Sequence, residues 1–173
     1  VIHLRVQPDG PKNIRITGID PVVLDSLFAL PEILEQRDKP GVRDRLLPPP
    51  TESDEALNAD WQQNVTPDLR HLFVTASETV LRDLTGVTPD PQAEHLQQLT
   101  FPAEHLNAWL SALNQARLIL GELHHLTEAD MAVTDFNLGD PHDLAVFRIH
   151  VLGYLLEYLV KLSAGHESEN QNQ

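Results

Sequence analysis

Apolar residues recur along most of this chain at the spacing of helices, and only near its start at the spacing of strands. Leu69, Leu72, Phe73, Ala76, Val80 and Leu84 form one stripe with a helical period, and Leu106, Trp109, Leu110, Leu113, Ala116, Leu120 and Leu123 form a second. They predict long amphipathic helices over 67–85 and 102–125. The stretch from Leu144 to Leu162 is apolar almost all round. At about 100° per residue its polar members His150, Glu157 and Lys161 share a sector of about 40°. So narrow a wet face predicts a helix over 141–163 at the centre of a bundle or at a homodimer interface. Near the start, Ile2, Leu4 and Val6 alternate with polar residues, as do Ile14 and Ile16, with Asp9-Gly10-Pro11 between them. This is a β-hairpin pattern. A lone hairpin is marginal in water, so a third strand is expected, and Gln97 to Phe101 is the candidate.

Helix starts are marked by a capping oxygen before a first-turn proline at Asp20-Pro21, Thr66-Pro67-Asp68 and Asp140-Pro141. Thr127 with Asp130 makes a capping box with Asp in place of Glu. These signals predict further helices over 21–36, with a break at Pro31, over 53–63 and over 127–133. Asp38 to Pro50 ends in Leu46-Leu47-Pro48-Pro49-Pro50 and reads as an extended connector. The expected fold is mainly α: a helical bundle with a small N-terminal antiparallel hairpin or three-stranded sheet. It forms one domain over 1–164, followed by a disordered polar tail over 165–173.

Composition changes this picture mainly by exclusion. The formal charge is −14, and residues 87–173 hold three Lys/Arg against twelve Asp/Glu. A binder of phosphate backbones needs a basic face, so nucleic acid and anionic membranes are not expected partners. The apolar stretch 144–162 carries Arg148, His150, Glu157 and Lys161, too many charges for a lipid span. The absence of cysteine removes disulfides and thiolate chemistry. With no signal-peptide pattern at the start, a cytoplasmic location is expected. The eight glycines never come closer than eight positions, which leaves no phosphate loop and no dinucleotide fingerprint.

Three segments resemble an uncharacterised family of domains of unknown function common in actinobacteria. They are Leu46-Leu47-Pro48-Pro49 leading into Asp54-Glu55-Ala56, the run Trp109-Leu110-Ser111-Ala112-Leu113-Asn114-Gln115-Ala116-Arg117-Leu118, and Leu152-Gly153-Tyr154-Leu155-Leu156-Glu157-Tyr158-Leu159. The region Pro89 to Gln98 is longer here than in the family pattern. The resemblance implies a helical fold and no established activity. The resemblance also implies genes often encoded beside that of the ClpS protease adaptor, which would link the chain to regulated proteolysis.

Candidate chemistry gathers between the last two long helices, in Glu122, His124, His125, Glu128, Asp130, Asp135, Asp140, His142 and Asp143. Glu122 and His125 share a helix face in a Glu-x-x-His spacing, a motif that di-iron bundles need twice and that occurs here once. A metal set would be Glu122, His125, Asp135 and His142. A structural reading covers most of the same residues: His124 and His125 close a helix C-terminus, while Asp130, Asp140 and Asp143 occupy first turns. A second candidate is a buried ion pair. Arg148 lies on the apolar side of the last helix and Arg117 at the edge of its own stripe, with Glu78, Glu104, Glu122 or Asp135 as possible carboxylates. The nine histidines would bring −14 to −5 if all were protonated, so a pH sensor is conceivable. The chain therefore reads as a non-enzymatic acidic interaction or regulatory module with a protein partner and no cofactor. The alternative is a metal-dependent enzyme.

Overall fold

Alternation near the N-terminus builds a sheet larger than the hairpin it predicts. In this computed structural model, which describes the backbone of residues 3–170 and side chains through residue 165, β1 (Arg5–Asp9) and β2 (Asn13–Ile19) pair antiparallel. Val6 lies opposite Ile16 and Gln7 opposite Arg15. A very short β3 (Thr88–Pro89) and β4 (Gln97–Pro102) complete a four-stranded antiparallel sheet in the order β1-β2-β4-β3. The expected third strand is β4, with Ile14 opposite Phe101 and Ile16 opposite Leu99. β3 escapes the pattern because two residues, one of them proline, carry no alternation. Leu4, Ile14, Ile16, Leu99 and Phe101 are buried, so one face of the sheet belongs to the core.

The helices are α1 (Pro21–Phe28), α2 (Leu30–Glu35), α3 (Pro40–Leu46), α4 (Glu55–Asn64), α5 (Thr66–Leu84), α6 (Leu106–Leu123) and α7 (Pro141–Asn170). Asp20 caps α1 by accepting from the amides of Val22 and Val23 at 2.9 and 2.8 Å. Asp54 caps α4 through Leu57. Thr66 is not a cap: the cap residue of α5 is Val65, without a side-chain bond, and Thr66 is buried in the first turn.

Four boundaries differ from expectation. The break attributed to Pro31 falls earlier, at Ala29, which ends α1 and opens α2 with proline in its first turn. The connector 38–50 contains α3, which folds because Val42, Leu46 and Leu47 can be buried against α6. The helix expected over 127–133 shrinks to a 3₁₀ turn, Asp130–Ala132, since an exposed segment this short gains no packing to offset nucleation. α7 continues to Asn170, into the segment expected as a disordered tail, and residues 171–173 lie outside the described residues.

The central element is α6, not α7. It packs on α2, α3, α5 and α7, and Trp109, Ala112, Leu113, Ala116 and Ile119 are fully buried. The alanines explain the difference: small side chains let neighbours approach from several sides, although they add little to an apolar stripe. Trp109 stacks on Phe101 with ring centroids 4.8 Å apart, joining bundle to sheet. α7 spends its wide apolar surface on α6, α1 and β1. Leu72, assigned to the α5 stripe, is exposed at its edge. Among the described residues, no helix is long and apolar enough to cross a membrane.

Candidate functional site

The segment from the end of α6 to the start of α7 turns twice, and its side chains sort accordingly. α6 closes with the amide of Leu126 donating to the carbonyl of Gly121 at 3.0 Å, while His125 adopts a left-handed conformation with φ of +50°. This is the Schellman closure, with histidine where glycine is usual. His125 is exposed and serves the turn. Glu122 leans toward α3: a Cβ on Gly41 would lie 3.0 Å from its Oε1. Asp135 is exposed in the loop. Glu122, His125, Asp135 and His142 therefore do not converge, and only His142 of that set stands in a cluster.

The cluster that forms is Asp140, His142 and Asp143, each with one potential ligand atom within 4.8 Å of the others. Asp140 Oδ1 caps α7, accepting from the amides of His142 and Asp143 at 2.9 and 3.1 Å. Asp143 Oδ2 accepts from the amide of Asn137 and pins the incoming loop. Each carboxylate keeps its second oxygen. The His142 ring lies between Asp143 Oδ1, 3.9 Å from Nδ1, and Asp130 Oδ1, 3.6 Å from Nε2. Hydrogen bonds from the Thr127 hydroxyl and amide hold the Asp130 carboxyl below its ordinary range, with His142 adding a smaller push the same way. Burial, aided by His142, Arg148 and His125, lowers the pKa of His124.

The two arginines part company. Arg148 pairs with Asp25 of α1 at 3.0 Å, and none of Glu78, Glu104, Glu122 or Asp135 is its partner. Its side chain is 21% exposed, with Nε shut off from water and unpartnered, and that of Asp25 is 64% exposed, so a mostly buried arginine brings one end of its fork to a carboxylate at the surface and clasps α1 to α7. Arg117 lays its guanidinium against Gly153, where a Cβ would come 3.3 Å from Nε. Two of the segments that carry the resemblance thus meet face to face between α6 and α7.

Two buried polar centres lie outside these expectations. Asp83, its side chain 8% exposed, accepts from the Trp109 indole at 2.9 Å and sits 3.0 Å from His105 Nδ1. Arg37 bonds Ser77 Oγ at 2.6 Å and Gln115 Oε1 at 3.1 Å, joining the turn after α2 to α5 and α6. Burial lowers the pKa of Arg37, partly offset by Asp38. The one available signal was that a buried indole N–H needs an acceptor.

The profile of a family described as a domain of unknown function (DUF2017) matches residues 18–163. The chain belongs to this family. Neither a curated protein nor a solved structure matches it. The DUF2017 match begins within β2, so β1 and both of its outward basic neighbours, Arg5 and Arg15, precede it.

Proposed function

We propose that the α7 end of this DUF2017 chain binds a divalent cation through Asp140, His142 and Asp143. One observation carries this: an imidazole and two carboxylates offer ligand atoms within 4.8 Å of one another. Metal–ligand bonds of about 2.0–2.5 Å require a separation of about 5 Å or less. A mixed nitrogen and oxygen set suits Zn²⁺ or Mn²⁺ better than Mg²⁺. Exposure and the positive end of the α7 dipole both oppose a cation, so the affinity expected is weak, about 0.1–1 mM. The reading is one of binding and stops short of a reaction. In a thermal melt, Mn²⁺ at about tenfold excess over Kd should add about 1.4 kcal/mol of stability, removed by chelator. His142→Ala should abolish the gain, whereas Glu122→Gln, His125→Ala and Asp135→Asn should keep it. An equal response from His142→Ala and the parent chain overturns the site.

A second reading, an acidic interaction module, is favoured by a separate observation. Leu24, Phe28, Pro31, Leu81, Leu84 and Val87 line an open apolar groove of about 430 Å³, and Phe28 is 52% exposed. Exposed Glu78, and Asp25 already paired with Arg148, stand one helical turn from Leu81 and Phe28. The occupant that fits is a basic amphipathic helix from a partner protein. A labelled Leu/Lys helical peptide should bind the parent chain and lose about tenfold or more with Phe28→Ser, which leaves charge unchanged. Equal binding to both would reduce the effect to bulk charge attraction and overturn the groove.

A further inference from the structure

The outward face of the sheet is basic, against the net charge of the chain. Register puts Arg5 beside Thr17 and Gln7 beside Arg15, while Val6 and Ile16 turn to the core. The segment from Asp90 to Leu96 folds over this face, closed by the Asp90 amide donating to the Leu96 carbonyl at 2.9 Å. Between loop and sheet lies a cavity of about 530 Å³, lined by His3, Arg5, Arg15, Gln92 and Gln98 among others. That is the size of an ordinary small-molecule site.

Its charge is unusual for a chain of −14. The lining holds two arginines and a histidine against one carboxylate, Asp90. Asp90 already serves its own loop, accepting from the Gln92 amide at 2.9 Å. Among the described residues the exposed Arg5 guanidinium has no hydrogen-bond or ion-pair partner. Arg15 gives Nη2 to Asp9 at 2.7 Å, and its side chain, 39% exposed, lines the cavity. Two guanidinium groups lining one cavity, one of them without a carboxylate of its own, are met best by an anionic oxygen. A planar carboxylate fits the guanidinium fork, and the glutamine amides can both donate to and accept from a hydroxyl beside it.

We propose that this cavity is a binding site for a small hydroxy- or amino-carboxylate, held by Arg5 and Arg15 and covered by the Asp90–Leu96 loop. It is separate from the cation cluster and the apolar groove, and stands or falls without them. The probe is L-malate, titrated into ¹⁵N-labelled protein with its full chain. Saturable shifts are expected for the Arg15 Nε–Hε signal and the amides of Gly18, Gln92 and Leu96. Arg5→Gln and Arg15→Gln should each weaken binding by about tenfold or more, as for loss of one charge-assisted bond. Arg43→Gln, at an exposed position of α3, should leave it unchanged. Asp9→Asn, which removes the carboxylate competing for Arg15, should tighten it, an effect that a merely structural Arg15 would not give. Should an arginine variant disturb the sheet, Gln98→Ala supplies the same comparison. Unsaturated shifts shared by Arg43 and Arg82 overturn the proposal. So does a short polyglutamate peptide that binds where malate does not, since the site would then belong to a protein partner.

Discussion

Exchange of Asp83 for alanine is expected to lower the free energy of unfolding by about 3 kcal/mol. The carboxylate is the acceptor for the Trp109 indole and the neighbour of His105 Nδ1, and it is nearly shielded from water. Removing it leaves the N–H of a fully buried tryptophan with nothing to replace the bond, a loss of about 1–3 kcal/mol, and forfeits a charge-assisted bond of about 1.5–3 kcal/mol. The two overlap, so the sum is an upper bound. Asp83→Asn keeps one carbonyl oxygen and should lose about half as much. Chemical denaturation with both variants checks this. An alanine variant within about 0.5 kcal/mol of the parent, the range of an ordinary surface change, would show that the clamp between α5 and α6 carries no weight.

Gly18→Ala is expected to be at least as harmful, by a different route. Gly18 has φ of +73° at the irregularity where β2 shifts register against β4. A left-handed conformation alone costs an alanine about 1–2 kcal/mol. A Cβ there would also run into the carbonyl oxygen of His3, a backbone atom that cannot swing aside. The strand must retreat, so the expected loss is about 3–4 kcal/mol and concentrated at the N-terminus. Hydrogen exchange should show the β1 amides losing protection while α6 keeps its own. Uniform loss across both would mean that the sheet and bundle open together.

Much of the fold was legible because long amphipathic stripes and proline-marked caps are local signals. The two long helices, the hairpin and the strand at Gln97 all come from patterns within a few turns of chain. What stayed hidden depends on partners far away in sequence. α3 reads as a connector until α6 is there to bury Val42 and Leu46. α6 reads as one more amphipathic helix until its alanines are seen to admit neighbours from several sides. The candidate site shows the same divide. That Asp140 would cap α7 was readable, and so was the role of His125 at a helix end. The convergence of Asp140, His142 and Asp143 arises within one helical turn, yet the first-turn reading of the carboxylates concealed it. Arg148 shows a mixed case: its helical position pointed inward and its stem is mostly buried, but the end of its fork reaches the rim and meets the exposed Asp25.

The strand order β1-β2-β4-β3 has a consequence for synthesis. β2 has two edges, and the chain fills only one of them early, with β1. The other waits for β4, which follows α1 through α5 in the sequence. At roughly 5–20 residues per second, several seconds separate their emergence from the ribosome. During that interval Ile14 and Ile16 stand beside a free row of amides and carbonyls, a template for pairing with other chains. The nascent protein is thus most open to aggregation before Leu99 and Phe101 arrive to cover the second edge of β2.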